Sequence, residues 1–324
     1  MVGIGECGPL PGLSPEFTPE FESILEHTVE QLNQRGVQLP PHTNLTSISS
    51  CVHQILDKQE YAVQPALVFA LETALLDLVN GGEKVIFKNS FVAGQPIPIN
   101  GLIWMGGLDF MLQQIEIKIR DGFTCLKLKV GSHDFEKECD VLQYIRRKYF
   151  RDKITIRLDA NGAFKKDDAL MKINQLTRFD IHSLEQPIKP GLPELKELCR
   201  QSPIPIALDE ELIGITGKEQ KKQLLEQVRP HFIILKPTLH GGLAGCAEWI
   251  SLCEPLNIGW WITSALESSI GLNAIAQFTA NYPVSIPQGL GTGMIYTENI
   301  ESPLQVEQGQ LTYNSSLNWG NIKD

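Results

Sequence analysis

From residue 97 onward the chain repeats one pattern, a short apolar run followed by an amphipathic stretch long enough for a helix. The runs are Ile97–Met105, Cys125–Val130, Ile154–Ala160, Ile181–Gln186, Ile204–Asp209, Phe232–Pro237, Trp260–Ala265 and Val284–Leu290. Stretches such as Phe135–Phe150, Asp167–Thr177, Lys218–Val228 and Leu243–Leu252 separate them. Parallel neighbours need a crossover and a helix is the usual one, so the pattern predicts βαβ units. Eight such strands suggest a closed α/β barrel. An open doubly wound sheet is the other architecture available, but no Gly-rich fingerprint follows an early strand.

The first 95 residues read differently. Gly5-Glu6-Cys7-Gly8-Pro9-Leu10-Pro11-Gly12 is a Gly/Pro-rich loop, and Thr18-Pro19-Glu20 has the character of a helix start, opening a helix to about Gln34. Val63–Val79 is apolar and rich in helix formers, which predicts a buried helix. The expectation is a mainly helical N-terminal unit over 1–95, a barrel over 96–299, and a helix-free stretch 300–324 that packs back on the N-terminal unit.

Charge sits at the ends of five runs. The second reads Leu126-Lys127-Leu128-Lys129-Val130, and a side-chain period of two puts both lysines on one face. Later runs end at Asp159, Glu185, Asp209 and Lys236; the steps from Lys129 are 30, 26, 24 and 27 residues, one βα unit each. In a barrel these side chains converge at the C-terminal mouth, where barrel enzymes place their chemistry. Three carboxylates there need a counter-charge, and an Asp/Glu/Asp oxygen set suits Mg²⁺, with Mn²⁺ as a substitute. Lysines on either side suit proton abstraction beside a carboxylate, since flanking cations and partial burial lower an amine's pKa. Three carboxylates, a divalent cation and three lysines leave a formal +2, which favours a dicarboxylate substrate. Arg157 shares a face with Asp159 and is expected to support it from behind, as is Asn161. Cys125, Trp260 and Trp261 are expected to pack the barrel, and His182 and His240 to be structural.

A net charge of −10 argues against a nucleic-acid partner. No stretch reaches the roughly 18 apolar residues of a membrane span. The start Met-Val-Gly-Ile-Gly-Glu has no signal-peptide character, and seven cysteines lack CxxC spacing, so a reducing cytoplasm is expected. The oligomeric state is not legible here.

These residues resemble the enolase superfamily, in its muconate-lactonizing-enzyme-like subgroup. The resemblance runs from Gly5–Gly12 to the C-terminal return. It implies a (β/α)7β TIM-like barrel with an α+β capping domain, with Asp159, Glu185 and Asp209 as metal ligands. It further implies Lys129 as base, with Lys236 on the opposite face. Thr263-Ser264-Ala265-Leu266-Glu267-Ser268-Ser269-Ile270-Gly271 and Gln288-Gly289-Leu290-Gly291-Thr292 are similar to members acting in menaquinone biosynthesis. That similarity implies a hydro-lyase, performing syn-dehydration of 2-succinyl-6-hydroxy-2,4-cyclohexadiene-1-carboxylate to 2-succinylbenzoate. Lys129 would then serve as base and afterwards as acid, while Lys127, Ser264 and Gly291 would bind substrate. Two rivals are an N-succinylamino acid racemase on the same scaffold and a catalytically silent barrel serving as an interaction module. A dipeptide epimerase would show an Asp-x-Asp pair that Gln288–Thr292 lacks. Relatives usually carry a further strand or two, with a mobile loop, before Gly5, so the capping domain is expected to lack its first strands.

Overall fold

The structure is a computed structural model that describes residues 1–39, 43–56, 63–132, 134–150, 153–292 and 296–321. Its frame is a seven-stranded parallel sheet in sequential order: β2 (Gly101–Ile103), β3 (Cys125–Lys129), β4 (Thr155–Asp159), β5 (Ile181–Glu185), β6 (Ile206–Leu208), β7 (Phe232–Leu235) and β8 (Gly259–Ile262). The crossovers are α4 (Leu108–Arg120), α5 (Phe135–Lys148), α6 (Ala169–Leu176), α7 (Glu194–Gln201), α8 (Lys218–Val228) and α9 (Gly242–Cys253). On β3 the outward Leu126 and Leu128 are fully buried under these helices while the lysines face the lumen.

Closure differs from the expected eighth strand. Around Val284–Leu290 only two isolated bridges form, Ile99 with Gln288 and Thr263 with Gly289. Pro283 and Pro287 have no N–H to offer a ladder. The Gln288 side chain substitutes, its Oε1 accepting from Ile262 N at 2.8 Å. Gly289 must be glycine, because a Cβ would stand 2.0 Å from Thr263 Oγ1. The first run is also divided. Its start, β1 (Ile97–Pro98), leaves the barrel and pairs antiparallel with β10 (Gln310–Tyr313), which pairs with β9 (Leu304–Glu307). The C-terminal return is thus a hairpin that completes a small sheet; residues 322–324 lie outside the described residues.

The N-terminal part contributes α1 (Phe21–Arg35), α2 (Leu45–Ile55) and α3 (Pro65–Val79). α1 follows Glu20, which makes no side-chain capping bond. α3 is apolar nearly all round and is sandwiched between α2 and α9. Pro65 opens it, and Glu16 Oε1 accepts from Ala66 N at 2.6 Å, satisfying an amide that the helix leaves unpaired. The segment before Gly12 lies along α3 at backbone contact: a Cβ on Gly3 or Gly5 would fall 2.0 Å from the Ala74 or Ala70 carbonyl oxygen. α10 (Ser269–Thr279) follows β8 and lies almost entirely buried.

Candidate active site

Register places the charged strand ends. Lys129 of β3 is opposite Asp159 of β4, and Asp159 is opposite Glu185 of β5, so the three form one layer at the C-terminal mouth. Asp209 directly follows β6 and Lys236 directly follows β7. Lys127 begins one layer lower, opposite Arg157, but its long stem carries Nζ upward to 2.6 Å from Glu185 Oε1 and 3.0 Å from Asp159 Oδ2. Lys129 Nζ donates to Asp159 Oδ2 at 2.8 Å and to Asn161 Oδ1 at 2.5 Å, while Lys236 Nζ pairs with Asp209 Oδ2.

All three carboxylates are at most 1% exposed. Burial alone would raise the Asp159 carboxyl, but Lys127 and Lys129 outweigh it and hold the group well below the usual range. Asp209 behaves alike, with Lys236 and Lys127 overcoming burial. Glu185 goes the other way: burial and the neighbouring Asp159 push it well up, despite Lys127. Lys127 and Lys236 are raised, since carboxylates outweigh the burial that would lower an amine.

Lys127, Lys129, Asp159, Asn161 and Lys236 form the polar wall of a cavity of about 210 Å³. Ser264, Gly291 and Thr292 also line it, with Ser264 Oγ hydrogen-bonded to Thr292 Oγ1. Leu10, Leu13, Leu102, Trp104 and Leu266 supply the apolar wall. Glu185 and Asp209 are not part of the cavity wall. As the side chains stand, no three His, Cys, Asp or Glu residues among those described converge tightly enough to hold a metal ion; lysine ammonium groups pair with the carboxylates instead.

Arg157 lies deeper, its guanidinium 4.0 Å from the Trp261 ring centroid and its Nη1 donating to Pro287 O at 2.7 Å. Its hydrogen bond therefore goes to the barrel floor and not to a carboxylate. Asn161 links Lys129 to Glu210, donating to Glu210 Oε1 at 2.7 Å. His240 Nδ1 accepts from Lys236 N at 3.0 Å, and burial pushes its pKa down to about 3, so the ring is neutral and braces that turn. His182 stacks on Phe232. All seven cysteines are free.

Sequence reasoning missed several groups at or beside the cavity. Leu10 and Leu13 arrive from the Gly/Pro-rich loop and the residues just after it, Asn100 and Trp104 flank β2, and Thr292 lies beside Ser264. Asn100 Oδ1 is buried without a partner. Gln186, at φ 37°, accepts from Asp209 N and Glu211 N and ties two strand ends together. The Gln186 side chain follows a charged strand end directly, which is the one signal that could have flagged it. None of the described helices is long and apolar enough to cross a membrane.

The chain is similar to known proteins along most of its length. The family model described as "Enolase C-terminal domain-like" matches residues 111–316. An o-succinylbenzoate synthase of Desulfotalea psychrophila is 44% identical, over 95% of this chain and 88% of that protein. The crystal structure of MenC from Desulfotalea psychrophila LSv54 superimposes with a TM-score of 0.86 at 43% identity, covering 96% of this chain and 90% of that one. A hydrophobic dipeptide epimerase of Enterococcus faecalis is 29% identical, over 86% of this chain and 76% of that protein. Muconate lactonizing enzyme from Pseudomonas putida shares the fold, with a TM-score of 0.79 at 21% identity over 98% of this chain and 88% of that one.

Proposed function

Because the chain belongs to the enolase C-terminal domain-like family, we propose that it catalyses the o-succinylbenzoate synthase reaction. That reaction is the syn-dehydration of 2-succinyl-6-hydroxy-2,4-cyclohexadiene-1-carboxylate to 2-succinylbenzoate, a step of menaquinone biosynthesis. The observation that carries the reading is that Lys129 and Lys236 line one cavity together with Asp159. An amine of Lys129, turned toward the ring, takes the proton from the carbon bearing the ring carboxylate. The same nitrogen, now an ammonium, returns that proton to the leaving hydroxyl on the same face, and water departs as the ring becomes aromatic. Lys236 stays charged and stabilises the negative charge that develops during proton removal. Lys127 offsets the charge of Asp159 and Glu185 beneath. The Ser264–Thr292 side of the cavity, with Gly291, receives the succinyl tail.

The residues fit Mg²⁺, with Mn²⁺ as a substitute. Asp159, Glu185 and Asp209 offer an all-oxygen donor set on successive strands, and Asp209 Oδ1 is buried without a partner. Mg²⁺, when bound, supplies Lewis-acid stabilisation of the charge building on the substrate carboxylate. The same reading takes residues 1–95, completed by 300–324, as the cap over a barrel of 96–299. It also places the chain in the cytoplasm, which the seven free thiols support.

The test is an absorbance assay for 2-succinylbenzoate with Mg²⁺, with chelator, and with Lys129→Ala. Product that appears only with metal and an intact Lys129 is the expected result. A metal-binding protein that makes no aromatic product overturns the reading. Exchange of the α-proton of N-succinylamino acids in its place would assign the racemase activity, which also needs bases on both faces.

A further inference from the structure

The loop after β2 and the first turn of α4 carry three large apolar side chains in the open: Trp104, Met105 and Phe110 are 38%, 44% and 51% exposed. Exposed indoles are costly to leave in water, and the backbone that carries this one is also held in place. Gln114 of α4 accepts from Trp104 N at 2.9 Å through Oε1 and donates to Trp104 O at 3.0 Å through Nε2. The two bonds engage both backbone groups of one residue, as a neighbouring strand would. Just beyond, the Phe110 ring lies so close to Gly106 that a Cβ there would stand 2.5 Å away. The loop is thus packed on the first turn of α4, with the backbone of Trp104 fixed at the rim. Trp104 also lines the active-site cavity, following the strand that pairs Leu102 with Lys127.

Resting on the reaction proposed above, we propose that Trp104 determines specificity by covering the six-membered ring of the bound substrate, with Gln114 as its positioning residue. The charged groups recognise carboxylates, and any dicarboxylate of the right length satisfies them. A flat unsaturated ring is distinguished by the flat apolar surface it meets, and the planar product meets the same surface. Because the ring contacts the indole before and during reaction alike, the contact acts on binding more than on the chemical step.

Two measurements on the full-length protein with Mg²⁺ test this. In the first, 2-succinylbenzoate titration alters intrinsic tryptophan fluorescence, and Trp104→Phe removes that change while Trp249, Trp260, Trp261 and Trp319 remain. In the second, Trp104→Ala raises KM about three- to tenfold with kcat altered by less than about twofold. Gln114→Leu gives part of the same rise, and so does Gln114→Glu, which keeps the acceptor for Trp104 N but sets a carboxylate oxygen against Trp104 O. Circular dichroism of each variant matching the parent excludes misfolding. The fluorescence arm needs no turnover, so a protein that responds through Trp104 yet makes no product defeats the proposed reaction alone. A parent that turns over while Trp104→Phe retains both KM and the fluorescence response overturns the role of Trp104. Self-association that Trp104→Phe abolishes, with KM unmoved, would assign the loop to a contact between copies and equally overturn it.

Discussion

At Lys129 the side-chain nitrogen is held 2.8 Å from Asp159 and 2.5 Å from Asn161. Replacing it with alanine leaves the barrel layers intact and removes the proton carrier of the proposed reaction, so kcat should fall by about 10²- to 10⁴-fold. Stopped-flow or steady-state absorbance checks this. Lys127 makes a different prediction, because it is buried between Asp159 and Glu185. Lys127→Met leaves two buried carboxylates short of a counter-charge. Stability in the presence of chelator should drop by about 3–5 kcal/mol, read as a shift in the urea midpoint. Lys127 and Lys129 look equivalent in the chain, since both are lumen-facing residues of one strand. What separates the counter-ion from the proposed proton carrier is the layer each occupies and the partners it meets there, which spacing does not carry.

Among the elements, α10 shows how strand ends and the N-terminal segment are fastened together. Ser268 Oγ caps its first turn, accepting from Ile270 N, and donates to Glu6 Oε2 at 2.6 Å. Glu6 also accepts from Ser268 N and Gly271 N, so a carboxylate from the N-terminal loop sits on the helix's positive end. Ser268→Ala should cost about 1 kcal/mol in denaturant unfolding. Gly5→Ala should cost about 1–3 kcal/mol, because its Cβ meets the Ala70 carbonyl, and a helix backbone cannot turn aside as a side chain can. The parallel strands and crossover helices were legible because each announces itself through local periodicity. The division of Ile97–Met105 between two sheets was not, since it depends on a partner strand more than 200 residues away.

In the whole molecule, the N-terminal part and the barrel are joined through a buried acid. Glu72 of α3 accepts from Leu243 N at 2.6 Å and Ala244 N at 3.3 Å, at the start of α9. Burial pushes its carboxyl from 4.5 up to about 8, although those amides pull it down. The protonated form therefore favours the fold. That contribution is complete below the ordinary value of 4.5 and is lost as pH rises through about 8. The melting temperature should fall between pH 5 and pH 8.5, and Glu72→Gln, which has no proton to lose there, should flatten the profile. The sequence by itself determined the barrel and the meeting of Lys129, Asp159, Glu185, Asp209 and Lys236 at one end of it. A period of two and a regular βα step are local quantities that a chain carries with it. Which lysine pairs with which carboxylate, how Gln288 and two bridges finish the ring, and which apolar residues wall the cavity were decided by the tertiary structure. Those outcomes depend on side-chain reach and on contacts between distant segments. Leu10 and Trp104 share a wall only once the N-terminal loop has settled on the barrel.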